Sequence, residues 1–142
     1  MTVIFSKACE LALQAVLFLS TKEDQVFNAT DISNELKVPK EFVSKVLQML
    51  TPSGIVGSRK GKNGGFYLGK KPIEIKLIDI VEAIDGMDLF KNCVLGFPGC
   101  SHETPCPVHN KWGKLREEAL NMLSEETLED LMDKTKNKLK LI

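Results

Sequence analysis

The chain has 142 residues, enough for one ordinary domain, or a small domain with an appendage, that buries a core without disulfide staples. Hydrophobic residues at 43% and charged residues at 27% read as soluble and globular, and the sequence carries neither a membrane-length apolar run nor a secretory signal pattern, so the cytoplasm is the expected compartment and no membrane partner is expected. The net charge of +0 hides a segregation: residues 58–71 hold Arg59, Lys60, Lys62, Lys70 and Lys71 and no acid, whereas residues 117–133 hold seven acids and no base.

In chain order, residues 6–20 predict a helix, because Ala8, Leu11, Ala12, Ala15, Val16 and Leu19 recur at three-to-four spacing. Cys9 within it reads as a small packing hydrophobe. After a break at "TKEDQVF", Asn28 is suited to N-cap a short helix ending near Lys37, with Asp31 complementing its first turn. Pro39 suits the first turn of a third helix, about 39–50, which buries Phe42, Val43, Val46, Leu47 and Leu50 and leaves Glu41, Ser44, Lys45 and Gln48 on the other side. Two helices joined by a tight turn form a helix-turn-helix pattern. "IVGS" and "GFYLG" then read as two strands, joined by a turn in which Gly61, Asn63, Gly64 and Gly65 permit positive φ. A basic hairpin in this position is the wing of a winged helix.

Residues 73–75 predict another short strand, "LIDIVEAIDGM" an amphipathic helix, and residues 111 to about 138 one long helical pattern, with a kink expected at "SEET". Its stripe of Trp112, Leu115, Ala119, Leu120, Leu123, Leu128 and Leu131 suits a dimerisation helix; the alternative is that it folds back on its own subunit. The expected architecture is mainly α with a small β-wing: a winged helix-turn-helix over residues 1–88, a loop over 89–110, and the dimerisation helix and tail over 111–142.

That loop contains "CVLGFPGCSHETPCPVH", which holds three of the four cysteines and both histidines. In the cytoplasm such cysteines are thiols or metal ligands rather than disulfides. Cys93, Cys100 and Cys106 bring three thiolates within reach of one site, and thiolates select iron–sulfur clusters, zinc or copper(I). His109, in a Cys-x2-His spacing, makes a Cys3His set that suits a cluster or zinc; the triad alone suits a thiol redox switch. Spacings of six and five residues are loose for a zinc knuckle.

The order of helix, helix-turn-helix, "RKGKNGGFYL", "IKLIDIVEAIDG", three-cysteine loop and long helix resembles the IscR/NsrR-type family of winged-helix, iron–sulfur-cluster-sensing bacterial transcriptional regulators, from about Phe5 to Leu131. The resemblance implies a homodimer on palindromic double-stranded promoter DNA, not an enzyme. It implies a cluster on Cys93, Cys100, Cys106 and His109, with 2Fe–2S favoured and 4Fe–4S the other form. His102 ranks below His109 by the same resemblance. Glu10, in "KACELAL", matches the carboxylate that completes the cluster from the partner subunit in some members. The third helix implies base contacts from Lys40, Glu41, Ser44, Lys45 and Gln48, and the wing implies backbone contacts from Arg59, Lys60 and Lys62. Ser44 stands at the family's specificity-setting position, where a glutamate would favour cytosine. Two features depart from the family pattern. Lys60, with Arg59 before it, stands where an arginine usually precedes the wing glycine, and Cys93-x6-Cys100 is one residue longer than the common spacing. Rival readings are a thiol-based or zinc-containing regulator, a small iron–sulfur electron-transfer protein, and a winged helix that binds protein.

Overall fold

The computed structural model describes residues 4–22 and 24–140. Helix α1 (Lys7–Ser20) is the centre of the molecule, with eight of its fourteen residues buried. Ser6 caps it: the Ser6 hydroxyl accepts from the Cys9 N–H at 3.1 Å. The Asp85 carboxylate in turn accepts from the Ser6 N–H at 2.9 Å and from its hydroxyl, so a negative charge sits at the positive end of the helix. At the other end the buried Ser20 donates its hydroxyl to the Leu17 carbonyl.

Helix α2 (Ala29–Leu36) opens with the expected cap at Asn28, here a full capping box: Asn28 Oδ1 accepts from the Asp31 N–H at 2.8 Å, and Asp31 returns the bond to the Asn28 N–H at 3.2 Å. Lys37 ends it in the left-handed region, φ 60°, and turns the chain into α3 (Lys40–Met49). Pro39 stands at the N-cap of α3, one residue before its expected place in the first turn. The hairpin follows. Strands β1 (Val56–Arg59) and β2 (Gly65–Leu68) pair antiparallel with Val56 opposite Leu68 and Arg59 opposite Gly65. The backbones of Phe27 and Phe66 exchange two further hydrogen bonds, 2.8 and 2.7 Å, which fasten the wing to the chain entering α2. In the turn, Gly61 and Gly65 take positive φ, whereas Asn63 and Gly64 do not. Gly64 is needed for space instead, since a Cβ there would lie 2.1 Å from the Arg59 carbonyl oxygen.

The strand expected over residues 73–75 does not form. Pro72–Glu74 is a turn of 3-10 helix, with Pro72 setting φ at its start; Ile73 faces solvent and Ile75 is fully buried, so no strand edge runs there. Helix α4 (Leu77–Ile84) then lies against α1, and a second 3-10 turn, Asp88–Phe90, leads into the cysteine loop.

The single long C-terminal helix is also corrected. It is two helices, α5 (His109–Glu125) and α6 (Leu128–Leu139), broken at Glu126 and Thr127, which are extended. The kink expected at "SEET" is thus a full break. Thr127 and Asp130 form a second capping box that starts α6 afresh. The Leu128 N–H donates to the Ile75 carbonyl at 2.9 Å, and α6 folds back on α1 of its own subunit. The core is one cluster drawn from α1, α2, α3, the wing, Ile75, Ile80 and Leu128, beside a smaller one of Cys9, Val81 and Leu123. Among the described residues no helix is long and apolar enough to cross a membrane.

Leu128 is fully buried at the junction that returns the chain to the core. Leu128→Ala is expected to destabilise the fold by about 3 kcal/mol, in the range for a buried leucine whose cavity cannot collapse. The check is urea unfolding followed by far-UV circular dichroism, with a lowered midpoint and an unchanged slope.

Candidate functional site

The loop between Asp88–Phe90 and α5 has little regular structure but many local ties. Gly96 and Gly99 take positive φ. The Gly96 N–H closes a turn on the Cys93 carbonyl at 3.0 Å, and Ser101 Oγ accepts from the backbone N–H of Glu103 and Thr104. Trp112, the chain's one tryptophan, reaches back from α5 and donates its indole N–H to the Asn92 carbonyl at 2.9 Å. That bond holds the start of the loop, one residue before Cys93, against the helix that follows its end. The His109 N–H donates to the Cys106 carbonyl at 3.1 Å, which seats Cys106 at the N-terminus of α5.

These ties gather the three thiols. Cys93, Cys100 and Cys106 place their sulfurs within 4.8 Å of one another. Cys93 Sγ and Cys106 Sγ are 3.4 Å apart, so the pair can share one proton. His109 Nδ1 is 3.3 Å from Cys100 Sγ, and His109 Nε2 is 3.3 Å from His102 Nδ1. The imidazole therefore stands beside one thiol of the triad, outside the set in which every donor lies near every other. Glu10 is half-buried on α1 and also lies outside that set.

Lys91, Ser101, Trp112 and Arg116 complete the wall of a cavity of about 210 Å³ around the cysteines and histidines. Lys91 and Arg116 give the wall of this cavity two positive charges. Desolvation pushes Cys93 up, but bonds from the Phe97 N–H, the Cys106 thiol, the Leu95 N–H and the Cys100 thiol outweigh it and bring Cys93 down to about 7. Cys106, desolvated and sharing its proton with Cys93, is shifted up. Cys9 is the contrast: burial pushes its thiol up to about 12, with the Asp85 carboxylate adding to the effect. Three accessible sulfurs, an adjoining imidazole and two cations fit a thiolate-bound metal centre, either an iron–sulfur cluster or zinc.

The second set of candidates lies on α3 and the wing. Lys40, Glu41, Lys45 and Gln48 are exposed on α3. Ser44 is half-buried, with the Gln48 amide 3.5 Å from its hydroxyl, one turn along the same face. Arg59, Lys60 and Lys62 are exposed at the tip of the hairpin. Sequence reasoning missed the roles of Trp112, Lys91 and Arg116. For Trp112 the signal was its uniqueness beside the cysteine run; for the two cations no sequence signal separates them from any solvated charge.

Known proteins match this arrangement. A family profile described as Rrf2, iron-dependent transcriptional regulator, matches residues 5–134, and the chain belongs to that family. It is a transcriptional regulator with a DNA-binding winged helix, not an enzyme. An HTH-type transcriptional regulator sequence from Aquifex aeolicus is 33% identical over 132 residues, 92% of each chain. The HTH-type transcriptional regulator NsrR of Bacillus licheniformis is 30% identical over 128 residues, 87% of each. Among solved structures, CymR, the global cysteine regulator of B. subtilis, shares the fold with a TM-score of 0.75 at 22% identity, covering 93% of this chain and 98% of that one. T. potens IscR shares it with a TM-score of 0.72 at 20% identity, covering 94% and 88%.

The thiols differ enough to be told apart chemically. In metal-free, reduced protein, alkylation of Cys93 by iodoacetamide is expected to rise with pH up to about 7 and level off above it, because the thiolate is the nucleophile. Cys106 is expected to follow at higher pH, and Cys9 to stay unmodified until the chain unfolds. Peptide mass spectrometry across a pH series reads all three.

Proposed function

We propose that this chain is a cytoplasmic homodimer that binds palindromic promoter DNA and whose grip is set by an iron–sulfur cluster on Cys93, Cys100, Cys106 and His109. The observation that carries the reading is the convergence of three accessible sulfurs and one imidazole at the start of α5. The family description, iron-dependent transcriptional regulator, agrees with it. A 2Fe–2S centre is the favoured form, since a histidine joins three cysteines; 4Fe–4S is the other. Glu10 of the partner subunit is the alternative fourth ligand.

When bound, such a cluster supplies a centre that oxidants, nitric oxide or iron supply can destroy or build. The rest is the work of this chain's own residues. Trp112 keeps the two ends of the loop together, and Lys91 and Arg116 offset negative charge at the sulfurs. Helix α5 also bears on α4, so a change in how the loop holds α5 reaches the winged helix. Leu115 and Met122 on α5 are exposed at 58% and 60%, seven residues apart with Ala119 between them. That spacing makes an apolar seam for a second copy of α5, which would set the distance between two DNA-reading heads. On each head, Lys40, Glu41, Ser44, Lys45 and Gln48 of α3 would face base edges, while Arg59, Lys60 and Lys62 would meet the DNA backbone.

The 3.4 Å approach of Cys93 to Cys106 favours a second reading, a thiol switch in which a peroxide takes two electrons from the pair and leaves a disulfide. Anaerobic purification with absorption and Mössbauer spectra separates the two. The expected result is an iron- and sulfide-bearing wild type, a colourless Cys100→Ser variant, and a His109→Ala variant with an altered spectrum. A colourless wild type with stoichiometric zinc, or with neither metal, overturns the cluster reading. On the DNA side, Lys60→Ala is expected to weaken duplex binding and to lower its salt slope by about 1. Affinity titrations at several salt concentrations measure both.

A further inference from the structure

The hairpin carries four exposed or half-exposed positions around a feature the backbone makes unusual. Gly57 pairs directly with Tyr67, and Arg59 pairs directly with Gly65. Each of the two side chains therefore stands opposite a residue without one. Cross-strand partners share a face of the ribbon, and diagonal neighbours there are within reach of long side chains. Phe66 lies on the other face, buried in the core. Tyr67 uses the space that Gly57 leaves: a Cβ on Gly57 would lie 2.4 Å from the far carbon of the ring and 2.6 Å from its hydroxyl oxygen. The ring is thus laid flat across the strand rather than pointing away from it. From there it meets Arg59, whose guanidinium carbon lies 5.9 Å from the ring centroid.

We infer that Tyr67 is a positioning residue for DNA binding, a platform that holds the Arg59 guanidinium at the tip of the wing before DNA arrives. An exposed arginine loses substantial rotamer freedom when it is fixed on a ligand. A ring beneath the guanidinium removes part of that freedom in the free protein, and the cation–π contact holds the planar group over one face. Among the described residues the cation–π contact at the wing is that of Arg59, and Lys60 lies beyond the last residue of β1. Of the two adjacent cations at the tip, Arg59 is the pre-organised one. The flat fork of a guanidinium also suits a narrow minor groove better than an ammonium does. This inference rests on the proposal that the wing contacts DNA.

The test uses the 142-residue chain, purified anaerobically, as wild type and variants, with a duplex that the wild type selects from a random-sequence pool. Affinity is measured at several salt concentrations. Arg59→Ala is expected to weaken binding and to lower the salt slope by about 0.9, as one lost phosphate contact does. Tyr67→Leu is expected to weaken binding about three- to fivefold, the order that an exposed cation–π contact supplies, and to leave the slope unchanged because the charge is still present. Gly57→Ala, which displaces the ring without removing it, is expected to reproduce the Tyr67→Leu loss. Tyr67→Phe, which keeps the ring face, is expected to restore affinity. In the Arg59→Ala background, Tyr67→Leu is expected to cost nothing further. Thermal midpoints show which variants stay folded, and Gly57→Ala keeps the test open should Tyr67→Leu unfold the wing.

An equal Tyr67→Leu loss with and without Arg59 overturns the platform while leaving the wing as a DNA contact. Full affinity in Tyr67→Leu does the same. If Arg59→Ala and Lys60→Ala both bind as the wild type, or no duplex is selected, the reading of the wing as a DNA contact fails, and the platform with it.

Discussion

Helix α1 is enclosed along most of its length, and a helix so enclosed must have its polar ends satisfied from within the protein. Ser6 and Asp85 do this at one end and Ser20 at the other. The same demand organises the chain around it. Asp85 lies just beyond α4, so capping α1 also fixes where α4 ends and where the cysteine loop starts. Helices α3, α4 and α6 all pack on α1, and the wing reaches it through β2. Helix α3 and helix α4, beyond which the cysteine loop begins, are therefore both placed by one buried rod. A shift of either must be felt through close-packed side chains rather than through a flexible linker.

How much of this was legible depends on whether the deciding physics was local. Asn28 and Asp31 announce α2 because a capping box involves only four consecutive residues. The hairpin was legible because glycines and strand formers alternate within a few positions. Residues 73–75 misled because alternating apolar residues also fit an extended piece with one buried side chain; only the tertiary structure shows a 3-10 turn there, with pairing limited to one bridge, Lys76 to Thr127. The break before α6 was partly visible. Thr127 and Asp130 carry a capping box in plain sight, but the apolar stripe continues through it at helical spacing and hides the change of direction. What decided the fold there was the bond from Leu128 to Ile75, some fifty residues away in sequence.

The cysteine site divides in the same way. The three thiols are close in sequence and close in space, so their meeting was readable from spacing. The distinction among them was not. Both Cys93 and Cys106 are desolvated, but the loop turns the N–H groups of Phe97 and Leu95 towards Cys93, whereas Cys106 is raised further by its bond with Cys93. His109 touches Cys100 and also His102, a contact that no spacing rule anticipates. Lys91 and Arg116 come from opposite sides of the loop and meet only at the cavity. Nor does the sequence reveal that Gly57 and Tyr67 are cross-strand partners, since that requires the register.

The hydrogen bond from Trp112 to Asn92 joins residues 20 apart in sequence and closes a ring that holds the thiols. Much of the chain entropy that a metal centre would otherwise have to remove is therefore removed by folding itself. Three sulfurs held in such a ring behave as a chelate: each sees the others at a high effective concentration, whatever the supply in solution. A chelate of this kind resists the loss of one bond, because the freed sulfur stays near enough to rebind. It yields when several bonds fail together. For a metal centre held by these sulfurs, the bond made by one tryptophan would thereby make loss of the centre a matter of several bonds failing together.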